Sequence, residues 1–408
     1  MEKVWRNRNF ILLMFGLAVS STGLWVGIIG NLEFLQKNVE SSFLQALIIL
    51  AGFLVGIFLA PMAGRVIDRS NKRNILIYAG IARCVAILFM YLAIATNSVW
   101  WMLIYTFIIG ISGTFSNPAM QTMIPLVVSK GQLLAANSVH VNIFTGARIV
   151  GTALGGVMLV GMSLFSLYTV TLVSYVILLV ATFFIRVDEK EKRVDQQKKK
   201  ENFITTIQEL YPVIRKKSMV INSILLLIPA FLFIAGFNLI VIEISEIQNT
   251  PGIKGILYTT EGLCVFIGTF IANRFFKENP KFIYLSIITF VIAAAQLSLV
   301  FADHFIPSIL TFALFGLAAG TLFPVATTIF QTDVPSDFHG RFFSIKGMVD
   351  NIIFQALMLL TGFLLDTVGF NIMVISFGIS SFLFVSMIFL RNTWTGGRMK
   401  EKSVMITK

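Results

Sequence analysis

Two carboxylates lie inside long apolar stretches of the sequence, where an ionised side chain is costly to place. Glu261 lies in the stretch 253–275, and Asp350 lies in the stretch 343–366. Ionisable groups in such surroundings are usually paired or used to carry charge. We therefore predict that Glu261 and Asp350 gain and lose protons. The alternative is that each only bonds to a polar neighbour, for which the candidates are Thr259, Thr260, Asn351 and Gln355.

Two further charged residues are candidates for contact with a polar ligand. Arg148 lies in the apolar stretch 137–160 among small residues, where it can hold a carboxylate in its charged form or attract an anion. Structural pairing is the alternative for this arginine. Glu33 follows the first apolar stretch, where it either forms an acidic entrance with Glu243 and Glu246 or is an ordinary solvated residue at a helix end.

The sequence lacks the short motifs of ATP hydrolysis and of zinc catalysis. The dipeptide Gly-Lys of a phosphate-binding loop does not occur, and the three histidines form no HExxH motif. No other dense cluster of catalytic residues stands out. We therefore expect no enzymatic activity, no metal and no cofactor, so that any uphill work draws on an ion gradient.

The elements that must position these residues are membrane-spanning helices. The chain has 408 residues, of which 56% are hydrophobic and 13% charged, and its mean hydropathy is +0.85. This composition is far from that of a soluble domain. A membrane-spanning helix needs about 20 mostly apolar residues. Twelve stretches, numbered here as spans one to twelve, meet this requirement: 9–31, 43–64, 74–96, 98–120, 137–160, 164–185, 218–242, 253–275, 281–301, 306–329, 343–366 and 369–390.

The basic residues predict the orientation of the chain in the membrane. Most of the 32 lysines and arginines fall in the loops that share a side with both termini, whereas Lys37 and Lys254 face the other side. Because cytoplasmic loops carry the excess of Lys and Arg, both termini are predicted to be cytoplasmic. The net charge of +12 therefore reflects orientation in a lipid bilayer and not a nucleic-acid surface.

A polar segment divides the twelve spans into two groups of six. We predict one six-helix bundle over residues 1–186, a cytoplasmic linker over 187–217 and a second bundle over 218–408. The end of the linker has apolar residues at helical spacing, which predicts a short amphipathic helix. These residues are Phe203, Ile207, Leu210 and Ile214. This helix either lies on the cytoplasmic interface in contact with lipid or packs on the ends of the spans.

The two groups of six spans share local sequence. The motif "QTMIP" at 121–125 follows span four, and "QTDVP" at 331–335 follows span ten. The matching positions in the two groups favour an internal duplication of a six-helix unit.

The stretch "GRVIDRSNKR" at 64–73, between spans two and three, carries the most specific pattern. It is similar to the loop signature of the major facilitator superfamily. The residues that match are Gly64, Asp68, Arg69, Lys72 and Arg73. Asn71 stands where the family has its second glycine, and asparagine also tolerates a left-handed conformation. The resemblance implies that these residues form a cytoplasmic gate, in which Asp68 pairs with nearby basic groups.

Other motifs resemble the drug:proton antiporter group that includes macrolide and siderophore exporters. They are "NPAMQTMIP" at 117–125, "LLAANSV" at 133–139 and "VPSDFHGRFFSI" at 334–345. Two departures are present: span four has no arginine, and the segment "GTALGG" at 151–156 has Thr152 where the antiporter motif has proline.

The resemblance implies an all-α integral membrane protein with twelve helices in two pseudo-symmetric bundles, the major facilitator fold. It also implies a monomer in the cell membrane that exports a hydrophobic or amphipathic small molecule by alternating access, driven by the proton gradient. We predict that Arg148, Glu33, Asn351 and Gln355 line the substrate path. Arg83 lies in span three, a peripheral helix in the family, and is expected to be structural. The alternatives are a proton symporter that imports a nutrient and a membrane protein that does not transport.

Overall fold

The computed structural model describes residues 4–187, 211–212, 214–215, 217–276, 282–335 and 338–406. Side chains are described for all of these except residues 4, 61, 68, 130, 134, 340, 344 and 393–406. The described residues form helices and short connections without a strand. They belong to two compact units, of which the first comprises Met1–Gln196 with Val241–Thr259 and the second Gln197–Ile240 with Thr260–Lys408.

The first six spans follow one another through short connections. Their bounds are Arg8–Asn38, Ser42–Arg69, Lys72–Thr96, Val99–Val127, Leu133–Gly161 and Leu164–Phe183. Polar residues cap several of the ends. Oγ of Ser41 accepts the backbone N–H of Leu44 before span two, and Asn97 ends span three in the left-handed conformation, with a φ of 49°. These caps satisfy backbone groups that a helix end would otherwise leave without partners.

The second six spans are less regular. Span seven consists of two successive helices, Ser218–Leu226 and Ile228–Ile247. Span eight is Ile253–Phe275, span nine is Phe282–Ser298 followed by a 3-10 turn, and span ten is Phe305–Asp333. Spans eleven and twelve lie in His339–Ile406, which is interrupted at Gly369, where φ is 79° and ψ is 172°.

The prediction of twelve apolar helices is confirmed. Eleven helices of the described chain are long and apolar enough to cross a membrane, and the last of them covers the 52 residues Arg341–Asn392. Such a helix would measure about 78 Å, more than twice the hydrocarbon thickness of about 30 Å, so it makes two spans with Gly369 between them. The linker over 187–217 and its amphipathic helix lie mostly outside the described residues, and the predicted domain boundaries stay a prediction.

Several helices extend beyond the predicted apolar stretches. Span one continues to Asn38 through the charged residues Glu33 and Lys37. These two side chains form an ion pair one helical turn apart, at 2.9 Å, which favours the added turns. Hydropathy marks only the apolar part of a helix, whereas the backbone hydrogen bonds continue until a cap ends them.

Small residues bring span one close to span six in the first unit. A Cβ atom on Gly16 would lie 2.9 Å from Cδ1 of Leu178, and one on Gly30 would lie 3.2 Å from the ring of Tyr168. Between these points Oγ1 of Thr171 donates to the carbonyl of Gly23 at 3.0 Å. Helices in lipid associate through such close packing and hydrogen bonds, because the hydrophobic effect does not drive them together there.

In the second unit, span ten packs against spans seven and eight. A Cβ atom on Gly316 would lie 2.6 Å from the carbonyl oxygen of Glu261, so glycine allows the backbones of spans eight and ten to touch. The rings of Phe233 and Phe315 stack with centroids 3.8 Å apart and hold span seven on span ten.

Large apolar side chains cover the outer surface of the helices. Phe58, Trp100 and Val160 are each 77% exposed, and Phe275 is 73% exposed. So many exposed large apolar side chains are unfavourable in water and suit contact with lipid. The chain is therefore an integral membrane protein.

Candidate functional site

A buried ion pair joins the end of span one to the start of span eight, within the first unit. Nζ of Lys254 lies 2.8 Å from Oε2 of Glu33, and the two residues are 0% and 3% exposed. Lys254 also donates to Oγ of Ser245 at 2.7 Å. The second oxygen of Glu33 accepts from the largely exposed Lys37 at 2.9 Å. Each oxygen of the Glu33 carboxylate therefore has a cationic partner.

Glu33 is therefore not an ordinary solvated residue at a helix end, and Lys254 does not project into solvent. Burial of a charge is tolerated only with a well-placed partner and additional hydrogen bonds, which Ser245 and Lys37 supply here. Nearby, Oγ of Ser42 donates to Oε1 of Glu243 at 2.9 Å, whereas Glu246 is exposed. Of the three glutamates considered for an acidic entrance, Glu33 is thus buried, Glu243 is half-buried and Glu246 is exposed.

Spans five and eight touch at small residues close to this ion pair. A Cβ atom on Gly156 would lie 2.7 Å from Cα of Gly255, closer than real side chains approach. One turn earlier, Oγ1 of Thr152 lies 3.2 Å from Oγ1 of Thr259 and 2.9 Å from the carbonyl of Arg148. Thr152, which replaces the proline of the antiporter motif, is fully buried and uses its hydroxyl at this contact. A proline at this position could not make these contacts, because it has no hydroxyl group, and it also lacks a backbone N–H.

Arg148 lies beside a group of aromatic rings. Its guanidinium carbon is 5.4 Å from the ring of Trp25, a cation–π contact. Trp25 also contacts Phe144 and Tyr258, with centroids 6.5 and 6.3 Å away. Nε1 of Trp25 is buried and has no hydrogen-bond partner among the described residues. The group thus places apolar rings next to a cation, a combination that suits a ligand with both apolar and polar parts.

The two predicted proton carriers have different surroundings. Glu261 is 6% exposed in span eight, with its backbone against Gly316. Asp350 in span eleven is half-buried and accepts a hydrogen bond from Lys346, one turn earlier in the same helix. Of the predicted neighbours, Asn351 is exposed and donates to the carbonyl of Gly347 at 2.9 Å, and Oε1 of Gln355 has no partner among the described residues.

The predicted cytoplasmic gate spans the turn between spans two and three. Gly64 and Asp68 lie in the last turns of span two and Arg69 ends it, but the side chain of Asp68 lies outside the described part of the structure. Lys72 begins span three. Arg73 donates to the carbonyls of Thr182 and Phe183, at 3.3 and 2.6 Å. Arg73 therefore caps the end of span six, a role of cationic side chains at helix ends.

Asn71, which replaces the second glycine of the loop signature, does not adopt a left-handed conformation. Its φ is −66°, and its Oδ1 accepts the backbone N–H of Asn74 at 3.2 Å. The expected reason for the replacement is thus wrong. Asparagine is favoured at this position because its side chain caps the start of span three, which glycine cannot do.

A cavity of about 270 Å³ lies among the helices of the first unit. Its polar lining includes Ser20, Arg83, Asn117, Gln121 and His140. Its apolar lining includes Leu17, Leu24, Leu76, Met120, Phe144 and Leu178. Spans one, three, four, five and six each contribute to it, and Phe144 connects it to the aromatic group beside Arg148.

Arg83 is the residue of this cavity whose position the sequence reasoning missed. Its Nε donates to Oγ of Ser112 at 2.9 Å, and Nη2 donates to Oγ of Ser116 at 2.6 Å. The ring of Tyr175 lies 5.7 Å from its guanidinium carbon. Arg83 was expected to be only structural because span three is peripheral in the family. A pattern in span four could have predicted the partners of Arg83: Ser112 and Ser116 lie one helical turn apart, and both face span three.

Comparison with known proteins decides the family. The model of the Major Facilitator Superfamily matches residues 13–345, which is more than half of the chain. The chain belongs to the major facilitator superfamily. Its membership confirms the resemblance seen in the loop signature and identifies the chain as a transporter.

The relatives of this superfamily member include macrolide exporters by name. Macrolide efflux protein A of Streptococcus pyogenes is 24% identical over 372 residues, covering 89% of this chain and 91% of that protein. Macrolide efflux protein A of Enterococcus faecalis is 25% identical over 309 residues, covering 74% and 94%. The MFS-type transporter YfiS of Bacillus subtilis is 22% identical over 356 residues, covering 84% of each chain.

Solved structures confirm the fold of this superfamily member. A mutant of the nucleoside transporter NupG has a TM-score of 0.71 and 13% identity, covering 94% of this chain and 99% of that one. A bacterial homologue of the iron transporter ferroportin, in an inward-facing state, has a TM-score of 0.68 and 14% identity, covering 94% and 98%. At these identities the likeness concerns the fold and not the substrate.

Proposed function

We propose that the protein exports a hydrophobic or amphipathic small molecule from the cell in exchange for protons. In this proposal it works as a monomer in the cell membrane, with both termini in the cytoplasm, and binds no cofactor or nucleic acid. Support comes from the macrolide efflux relatives, whose alignments cover most of both chains. The aromatic group of Trp25, Phe144 and Tyr258 beside Arg148 supports an amphipathic substrate, since it combines apolar surface with a cation.

The observation that carries proton coupling is the buried pair of Glu33 and Lys254. A proton on Glu33 removes its negative charge and leaves the ammonium group of Lys254 buried, with the uncharged hydroxyl of Ser245 as its other hydrogen-bond partner among the described residues. A buried cation in that state is costly. The cost falls if span one separates from the start of span eight and water reaches Lys254. Protonation therefore favours opening at this end, which the loop charges predict to face the exterior.

This coupling has the direction that an exporter requires. Protons are more abundant outside an energised cell, so they favour the state that opens outward and releases substrate. When the proton passes from Glu33 to a carrier further along the spans, for which Glu261 and Asp350 are the proposed candidates, and from there to the cytoplasm, the ion pair forms again and that end closes. The proton and the substrate thus act on the same equilibrium, between the states in which this end is open and closed. Each shifts it because it binds one of the two states more tightly than the other. Glu261, which is buried in span eight, and Asp350 remain further proposed proton carriers in this cycle.

Accumulation of a radiolabelled macrolide in intact cells tests the proposal. Cells that express the protein should hold less macrolide than cells with an empty vector, and a protonophore should abolish the difference. Glu33→Gln and Glu261→Gln should behave like the empty vector. Glu40→Gln is the matched control, since Glu40 is an exposed carboxylate after span one. Greater accumulation in expressing cells would instead indicate import by symport and would reject export.

A further inference from the structure

We propose that the cavity around Arg83 binds the anionic group of a small organic acid with an apolar body. This inference deepens the proposed function, because it names a chemical class of substrate group for the first unit. It is carried by a cation that faces a cavity in which the described residues provide no acidic group to balance it. Span three was expected to be a peripheral helix, and a peripheral helix needs no cavity beside its arginine.

The charge of Arg83 has no acidic partner from its own part of the chain. No aspartate or glutamate occurs between Asp68 and Asp188, which includes all of spans three to six. No carboxylate lines the cavity among the described residues. The contacts of the guanidinium are the hydroxyls of Ser112 and Ser116 and the ring of Tyr175, all uncharged. An unbalanced cation within a membrane span is costly unless an anion approaches it.

The guanidinium is held in a fixed orientation with donors to spare. An arginine has five N–H donors, of which one goes to Ser112 and one to Ser116, so three have no partner among the described residues. Ser112 in turn donates to the carbonyl of Ala79 at 3.0 Å, which fixes the hydroxyl that receives Arg83. An anchored planar donor group is suited to a carboxylate, which it can bind with two parallel hydrogen bonds.

The rest of the cavity determines what the anion is attached to. Asn117, Gln121 and His140 add hydrogen-bonding groups to the lining, whereas Leu76, Met120 and Leu178 provide apolar walls. Ligand pockets commonly measure about 300–1,000 Å³, so a cavity of about 270 Å³ suits a small aromatic or branched acid. A whole macrolide is too large for it.

Binding of two probes that differ in charge tests the inference on the purified full-length protein in detergent. The probes are 1-naphthoate and its neutral amide, 1-naphthamide, and the measurement is isothermal titration calorimetry. Wild type should bind naphthoate at least about tenfold more tightly than naphthamide, a difference of about 1.4 kcal/mol. Arg83→Gln should remove this preference. Arg391→Gln should keep it, since Arg391 lies in span twelve, where it donates to Oδ1 of Asn222, an uncharged group, at 2.6 Å.

A second variant keeps Arg83 and so does not depend on the folding of Arg83→Gln. Asn117 lines the cavity one residue after Ser116, and Asn117→Asp places a carboxylate there without changing its size. This carboxylate should occupy Arg83 and abolish the naphthoate preference, while Asn117→Gln should leave most of it.

Three results would overturn the inference. They are equal binding of the two probes by wild type, no binding of naphthoate at millimolar concentration, and an unchanged preference in folded Arg83→Gln or Asn117→Asp. Because binding is measured without a proton gradient, it is separate from the export assay. Macrolide export without a naphthoate preference would reject the Arg83 inference alone, whereas a naphthoate preference without proton-coupled export would reject the proposed function alone.

Discussion

Nζ of Lys254 lies 2.8 Å from Oε2 of Glu33, although the two residues are 221 positions apart in the chain. The pair links span one to span eight and is almost completely buried. Its two charges depend on one another, because each can stay buried only while the opposite charge lies beside it. In the proposed function, this dependence is what lets a single proton on Glu33 break the contact.

Glu33→Gln should destabilise the protein, because it leaves Lys254 buried beside an uncharged amide. The expected loss is about 3–5 kcal/mol, the usual effect of removing one partner of a buried pair. The double variant Glu33→Gln with Lys254→Met should recover much of it, since no buried charge then remains at this contact and Lys37 is largely exposed. Thermal unfolding in detergent measures both, with Glu40→Gln as the control. A Tm of Glu33→Gln equal to that of wild type would show that the pair does not stabilise this state.

Gly156→Ala should disturb the contact between spans five and eight. The added Cβ would lie 2.7 Å from Cα of Gly255 and 3.0 Å from the carbonyl of Gly252, so the backbones must move apart. We expect a lower Tm and a strong loss of transport. Gly146→Ala is the matched control in the same helix, because a Cβ there meets nothing within 4 Å. Equal behaviour of the two variants would contradict the close packing.

Arg73→Gln should weaken the end of span six, since Arg73 donates to the carbonyls of Thr182 and Phe183. Charged hydrogen bonds of this kind contribute about 1.5–3 kcal/mol, so a measurable fall in Tm is expected. Arg69→Gln should leave the Tm unchanged, because Arg69 is exposed. The idea of a structural cap fails if Arg73→Gln unfolds at the wild-type temperature.

Asp68→Asn should leave insertion into the membrane intact and slow turnover. The resemblance assigns Asp68 to a cytoplasmic gate, and the amide cannot form the ion pairs that hold such a gate closed. Macrolide transport into vesicles, normalised to the amount of inserted protein, measures the effect. Wild-type transport by Asp68→Asn would reject this role.

Hydropathy was sufficient to predict the twelve spans, because lipid imposes long apolar helices that a window of sequence reveals. The sequence did not predict in the same way which groups the charged residues pair with. Glu33 and Lys254 each resemble an ordinary polar residue at a helix end, and only the fold brings them together. Their long separation in sequence leaves no local pattern that predicts the pair.

Arg83 and Asn71 show two other limits of the sequence reasoning. Arg83 was placed in a peripheral helix by resemblance, but the cavity beside it depends on how five spans pack. Asn71 was interpreted through its tolerance of positive φ, whereas a cap was the simpler property of an asparagine before a helix. The absence of acids from residues 69–187 was visible in the sequence and showed that no acidic partner for Arg83 lies in spans three to six.

Proton flux in everted vesicles tests the central claim most directly. The vesicle lumen is acidified by respiration, a quenched dye follows its pH, and a macrolide is then added. Proton-coupled export predicts prompt release of lumenal protons by wild type and by Glu40→Gln, and none by Glu33→Gln or Glu261→Gln. Uptake of macrolide into the vesicles without any release of protons would contradict the account.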